Sequence, residues 1–109
     1  MADFRPNFLG IGVQKGGTST LHSLLSKHPD VFLPASKELH YFTLHYSHSN
    51  TWYQDHFKDS RLHQMRGEIT PYYIFHPLAP ARIHANFPFV RLIVLLRDPV
   101  ERALSQLFH

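Results

Sequence analysis

At 109 residues the chain has the size of one common domain, which argues against two separately cored units, and 43% hydrophobic with 17% charged residues excludes a disordered tail. Net charge is +3 with histidine neutral, an excess that favours anionic ligands but lacks the dense Lys/Arg stripe of a nucleic-acid binder. No cysteine is present, so disulfides and thiolate metal ligands are excluded. The longest apolar run, Leu92 to Leu96, falls far short of the roughly 20 residues a membrane-spanning helix needs. Met1 to Pro6 lacks the basic-then-apolar layout of a signal peptide, and a cytoplasmic location is the default expectation.

Phe8 to Val13 (FLGIGV) is a short apolar run that gives way to the polar, glycine-bearing turn Gln14-Lys15-Gly16-Gly17, the pattern of a buried strand entering a loop. A helix is predicted next, with Thr18 or Ser19 as its cap, Leu21, Leu24 and Leu25 as its apolar stripe, and His28-Pro29-Asp30 as its stop. Val31 to Leu33 is a second strand, which completes one β-α-β unit. Ser36 to Phe42 reads as a polar loop running into an aromatic patch, and Thr51 to Phe57 as a short helix. Arg66 to Thr70 is a weak strand closed by Pro71. Pro77 to Phe87 is predicted helical, with Ala79, Ile83 and Phe87 on one face and Pro80 in the first turn. Val90 to Leu96 has the β-branched, Leu-rich content of a strand buried on both faces of a parallel sheet. Asp98-Pro99-Val100-Glu101 then opens a helix that is still running at His109, so the domain is expected to be truncated before its C-terminal half.

The turn from Gly12 to Thr20 carries the most chemistry. Glycines let successive backbone N–H groups point inward, the next helix presents its positive end, and hydroxyls with a lysine complete an anion cradle. The Walker pattern is nearly met, but Thr18 follows Gly17 where a lysine belongs, and the lysine comes early, at Lys15. That departure counts against an ordinary ATPase or GTPase; a glycine-rich turn that merely joins strand to helix is the plainer alternative. The ten histidines include no HExxH or Cys/His spacing, so no metal site is expected.

Four segments in order, VQKGGTST, KELHYF, GEITPYY and RLIVLLRDPVERALSQ, resemble the sulfotransferase family, in the branch of heparan sulfate N- and O-sulfotransferases and their bacterial relatives. The resemblance runs from Phe8 to Phe108. It implies a P-loop-like α/β fold, a parallel sheet with flanking helices. It also implies an enzyme that moves a sulfuryl group from 3′-phosphoadenosine 5′-phosphosulfate to a hydroxyl or amine, including one on a glycan, and leaves adenosine 3′,5′-bisphosphate. Residues 1–109 would then be a partial domain, with the 5′-phosphosulfate loop near 12–20 and the 3′-phosphate site near 97–105.

Carried over residue by residue, the resemblance places Lys15 on the oxygen that bridges phosphate and sulfate, and Gly16, Gly17, Thr18, Ser19 and Thr20 around the 5′-phosphate. A cation fixed beside a leaving oxygen lowers the barrier by electrostatics. Glu38 matches the general base of this branch, and Lys37 would orient donor or acceptor; a solvated Lys-Glu pair is the bland alternative, and His40 is a rival base. Arg97 and Ser105 match the pair that grips the 3′-phosphate, set against a strand-end arginine paired with Asp98 or Glu101. Glu68 is expected to line the acceptor side with Tyr72 and Tyr73, unless those tyrosines pack in the core, as Trp52 and Tyr53 would also do. Two readings stay open beside the sulfotransferase: a P-loop nucleotide kinase or NTPase, and a non-catalytic nucleotide-binding fragment.

Overall fold

The computed structural model describes residues 4–12, 17–62 and 64–95. Its elements in chain order are β1 (Phe8–Gly12), α1 (Thr18–Ser26), β2 (Val31–Phe32), α2 (Asn50–Asp55), β3 (Met65–Ile69), a 3-10 turn (Pro71–Ile74), α3 (Ala79–Asn86) and β4 (Arg91–Val94). The four strands form one parallel sheet in the order β2-β3-β1-β4. Leu9 pairs with Glu68 on one side and with Leu92 on the other, so β1 is central.

The α/β class and the parallel sheet agree with the sequence. Proline explains two boundaries. Pro71 cannot donate to a ladder and starts the 3-10 turn, whereas Pro80 sits in the first turn of α3, where its missing N–H costs nothing. Ala79, Ile83 and Phe87 are all buried, as their spacing predicts.

β4 departs from expectation. Leu92 is 52% and Val94 36% exposed, so this strand is not buried on both faces. Leu92 and Val94 share one face of the strand, and their exposure means that no described element covers that face; among the described residues β4 pairs only with β1, at the edge of the sheet. The helix predicted from Asp98 onward lies outside the described residues. Leu24 is also more exposed than its place in the α1 stripe implies, at 64%.

The core is aromatic and covers Leu9 of the central strand. Tyr41 and Phe42 from the loop after β2, Tyr53 of α2, Phe57, Tyr73, and Ile83 and Phe87 of the α3 segment pack together there. Tyr41 stacks on Tyr53 at 4.6 Å between ring centroids, with 23° between planes, and Phe42 meets Tyr73 edge-on at 5.4 Å. Such pairs each add about 0.5–1.5 kcal/mol beyond their buried area. This packing fixes the loop that follows β2 against the end of β3.

Candidate functional site

All four strands run the same way, so their C-terminal ends share one edge. From β1 the chain leaves toward β2, while β4 lies on the other side, which makes the end of β1 the place where strand order reverses. Open α/β sheets bind ligands outside such a point. The pairing of β1 with β4 shifts register between Gly10 and Gly12, so β1 is irregular just where it meets that edge. Glycine is required at position 12 by close approach: a Cβ there would stand 2.5 Å from Cγ2 of Ile74.

The description resumes at Gly17, which takes φ 91° and ψ 18° and caps α1. The cap expected at Thr18 or Ser19 is therefore a glycine. The left-handed backbone explains the choice, because a Cβ would be strained there, whereas those hydroxyl residues have helical backbones. As a glycine, the cap residue offers no side-chain acceptor to the helix, and the first turn holds no acidic residue. The amide of Leu21 bonds back to the Gly17 carbonyl at 3.0 Å, but those of Thr18, Ser19 and Thr20 lie in the turn that a helix leaves without internal partners. Among the described residues, a Cβ built on Gly17 meets nothing within 4 Å. The positively polarised N-terminal end of such a helix suits a phosphate. Lys15, Gly16, Arg97 and Ser105 lie outside the described residues.

Glu38 lies in the loop after β2, with its side chain 38% exposed, and its Oε1 is 3.3 Å from Nε2 of His40. An ionised carboxylate only accepts, so the imidazole presents an N–H to it. The rival base is thus a partner of the first candidate. His40 has φ 52°, left-handed for a residue with a Cβ, and this bend lies between the buried Leu39 and the buried Tyr41 and Phe42. Lys37 reaches toward α1: burial first, and then the Lys37 charge, hold the His22 imidazole below its ordinary range. The two segments that the sequence singled out, the α1 entry and the Lys37-Glu38 loop, therefore flank the same sheet edge.

Glu68 and Tyr73 do not line an open acceptor side. Glu68 is 0% and Tyr73 1% exposed, and Tyr53 is equally buried. Tyr53 and Tyr73 donate to Glu68 Oε2 at 3.0 and 2.6 Å, and Thr70 donates to Oε1 at 2.5 Å. Burial raises the Glu68 carboxyl above its ordinary range, and the three hydroxyl donors partly offset that rise. Both tyrosine hydroxyls are pushed well above the ordinary range, first by burial and then by the Glu68 charge. Sequence reasoning missed this cluster. Its one local signal was the alternation that puts Glu68 and Thr70 on the same face of a strand; the tyrosines come from α2 and the 3-10 turn. Tyr72, at 38% exposure, remains outside the core, with its ring 6.3 Å from that of His40.

A cavity of roughly 450 Å³ opens at the opposite edge, between Arg5, Asn7, Met65, Phe87, Phe89 and Arg91. It faces the N-terminal ends of β1, β3 and β4, the wrong end of a parallel sheet for ligand chemistry. No group of three or more metal-ligating side chains occurs among the described residues. No described helix is long and apolar enough to cross a membrane.

Residues 5–109 match the model of the sulfotransferase domain family. The chain is 42% identical over 104 residues to the membrane-associated sulfotransferase kil1 of Dictyostelium discoideum, covering 93% of this chain and 22% of that protein. It is likewise 42% identical over 100 residues to human heparan sulfate glucosamine 3-O-sulfotransferase 6, covering 92% of this chain and 29% of the relative. Among solved structures, a sulfotransferase from Alicyclobacillus acidocaldarius superposes with a TM-score of 0.78 at 31% identity, over 97% of this chain and 50% of that one. The chain thus spans under a third of these two curated relatives and half of the solved one.

Proposed function

We propose that this chain, which belongs to the sulfotransferase family, binds 3′-phosphoadenosine 5′-phosphosulfate at the C-terminal edge of its sheet and passes the sulfuryl group to a hydroxyl or amine. The observation that carries this reading is the convergence on that edge of the α1 N-terminus, with glycine at its cap, and a carboxylate at Glu38 held by His40. In this reading Lys15, Gly16, Gly17, Thr18, Ser19 and Thr20 hold the 5′-phosphosulfate, and Arg97 and Ser105 the 3′-phosphate. Bound there, the donor supplies an electrophilic sulfur and a phosphate leaving group.

The protein's part is to place groups and move one proton. Glu38 takes the proton from the acceptor as its oxygen or nitrogen bonds to sulfur, so the attacking atom carries no positive charge forward. The His40 N–H keeps the carboxylate aimed before the transfer. Half exposure of Glu38 suits a base that must meet an incoming acceptor. A glycan acceptor is part of the proposal, supported by the similarity to an enzyme named for heparan sulfate glucosamine. The cytoplasmic setting expected from the sequence also belongs here; since one relative is named as membrane-associated, fractionation of expressing cells is the measurement that places the protein.

The test is calorimetric titration with adenosine 3′,5′-bisphosphate and with ATP plus Mg²⁺, followed by transfer of labelled sulfate in the wild-type chain and in Glu38→Gln and Lys15→Ala variants. Tighter binding of the bisphosphate and loss of transfer in both variants are expected. Preference for ATP with Mg²⁺ overturns the reading in favour of a kinase or NTPase; donor binding without transfer reduces it to a nucleotide-binding unit.

A further inference from the structure

We propose that Glu68 is a positioning residue for this transfer: its buried carboxylate, acting through the hydroxyls of Thr70 and Tyr73, fixes the backbone that presents Glu38. The proposal rests on the function above, because it takes Glu38 as the base.

Two of the three hydroxyls that donate to Glu68 turn their lone pairs toward the loop. Thr70 Oγ1 accepts the Leu39 N–H at 3.1 Å and the His40 N–H at 3.4 Å, and the Tyr73 oxygen accepts the Tyr41 N–H at 3.0 Å. Three consecutive amides directly after Glu38 are thus tied to side chains that answer to one carboxylate. A hydroxyl has a single hydrogen; once that hydrogen is drawn to Glu68, the oxygen is free to accept from the loop. Glu68, which when ionised only accepts, sets the direction of all three hydrogens. The same amides hold the left-handed turn at His40 (φ 52°), which aims Nε2 at Glu38.

Stability alone is a poor reason for this arrangement. A buried charge gains little over an apolar residue of the same volume, while a fully satisfied polar network specifies one geometry. Here the specified geometry is that of the loop carrying the base. Glutamine at position 68 keeps the volume but places an amide donor against hydroxyls that already donate, so at least one hydroxyl hydrogen loses its acceptor and the new N–H competes with the loop amides for that oxygen.

Amide hydrogen exchange by NMR on the 109-residue chain tests this, with wild type, Glu68→Gln, Thr70→Val and Thr70→Ser compared. Glu68→Gln should speed exchange at Leu39, His40 and Tyr41 by about tenfold, with Leu9 and Gly10 of β1 unchanged. Thr70→Val should do the same at Leu39 and His40, and Thr70→Ser, which restores the hydroxyl, should return them to near wild-type protection. This pair carries the test even for a Glu68→Gln chain that does not fold. In the transfer assay Glu68→Gln should lower kcat by roughly tenfold or more, with donor KM held within about twofold. Loop amides in Glu68→Gln as protected as in wild type overturn the proposal, as does a uniform acceleration that includes β1. Failure of wild type to bind adenosine 3′,5′-bisphosphate overturns the function proposed above instead, and leaves the exchange result to judge the placement of the loop.

Discussion

Replacing Gly17 by alanine isolates one physical term. At φ 91° an L-residue meets its own backbone, and for left-handed geometry that costs about 1–2 kcal/mol. Alanine also stiffens the unfolded chain, which ordinarily stabilises by about 0.4–1 kcal/mol. The added methyl meets no described residue within 4 Å, so neither clash nor packing is counted. Strain therefore wins by about 1 kcal/mol, the difference of those two terms. For a domain of this size that lowers the melting temperature by roughly 4–8 °C. Equilibrium denaturation of wild type, Gly17→Ala and Gly17→Asn is the assay. Asparagine tolerates left-handed backbone better, so its loss should be the smaller of the two. A Gly17→Ala chain as stable as wild type, or more stable, would refute the assignment of Gly17 as a left-handed cap of α1.

Three further outcomes follow from the same geometry. Tyr53→Phe removes one of two donors to Glu68 Oε2 without changing shape, and should cost about 1–3 kcal/mol by denaturant titration; a change below about 0.5 kcal/mol would mean the carboxylate does not depend on it. Leu9→Ala, at a site with no exposure, should cost about 2–5 kcal/mol, whereas Leu24→Ala, at 64% exposure, should stay within about 0.5 kcal/mol. The third concerns pH. Burial raises the folded Glu68 carboxyl above the ordinary 4.5, so as pH rises the unfolded chain releases that proton first. The folded state then holds the extra proton between 4.5 and its raised value, and the Glu68 contribution is full below 4.5 and lost as pH rises through the folded value. The stability of wild type minus that of Glu68→Gln should fall with rising pH across this window, measured by thermal unfolding; a flat or rising difference contradicts it.

The parts of the fold legible in the sequence were those written in local periodicity. Ala79, Ile83 and Phe87 mark one face of α3, and the apolar FLGIG run marks the central strand. What escaped depends on partners distant in sequence. The exposure of Leu92 and Val94 is set by what packs on their face of β4, which a run of apolar residues does not encode. A carboxylate next to Tyr72 and Tyr73 suggests an exposed acceptor side, yet Glu68 is fully buried. Its burial follows from Tyr53, fifteen positions earlier, arriving on α2 to supply a hydroxyl. The cap of α1 was misread because Thr18 and Ser19 are favoured cap types; the adjoining Gly16-Gly17 pair was the better signal. Of the candidate site, the sequence named Glu38 and the α1 entry. Their union at one edge came from Thr70, whose hydroxyl binds the Glu38 loop while its amide bonds Gly10 of β1 at 2.9 Å.

The central claim, that the donor binds where β1 ends and the Glu38 loop arrives, is most directly tested by titrating adenosine 3′,5′-bisphosphate into the labelled chain and following amide shifts residue by residue. The account predicts saturable shifts at Gly17 to Thr20 and at Glu38 to Tyr41, with Arg5, Phe89 and Arg91 at the far edge unmoved. Shifts confined to that far edge, or none at the α1 entry, would contradict it.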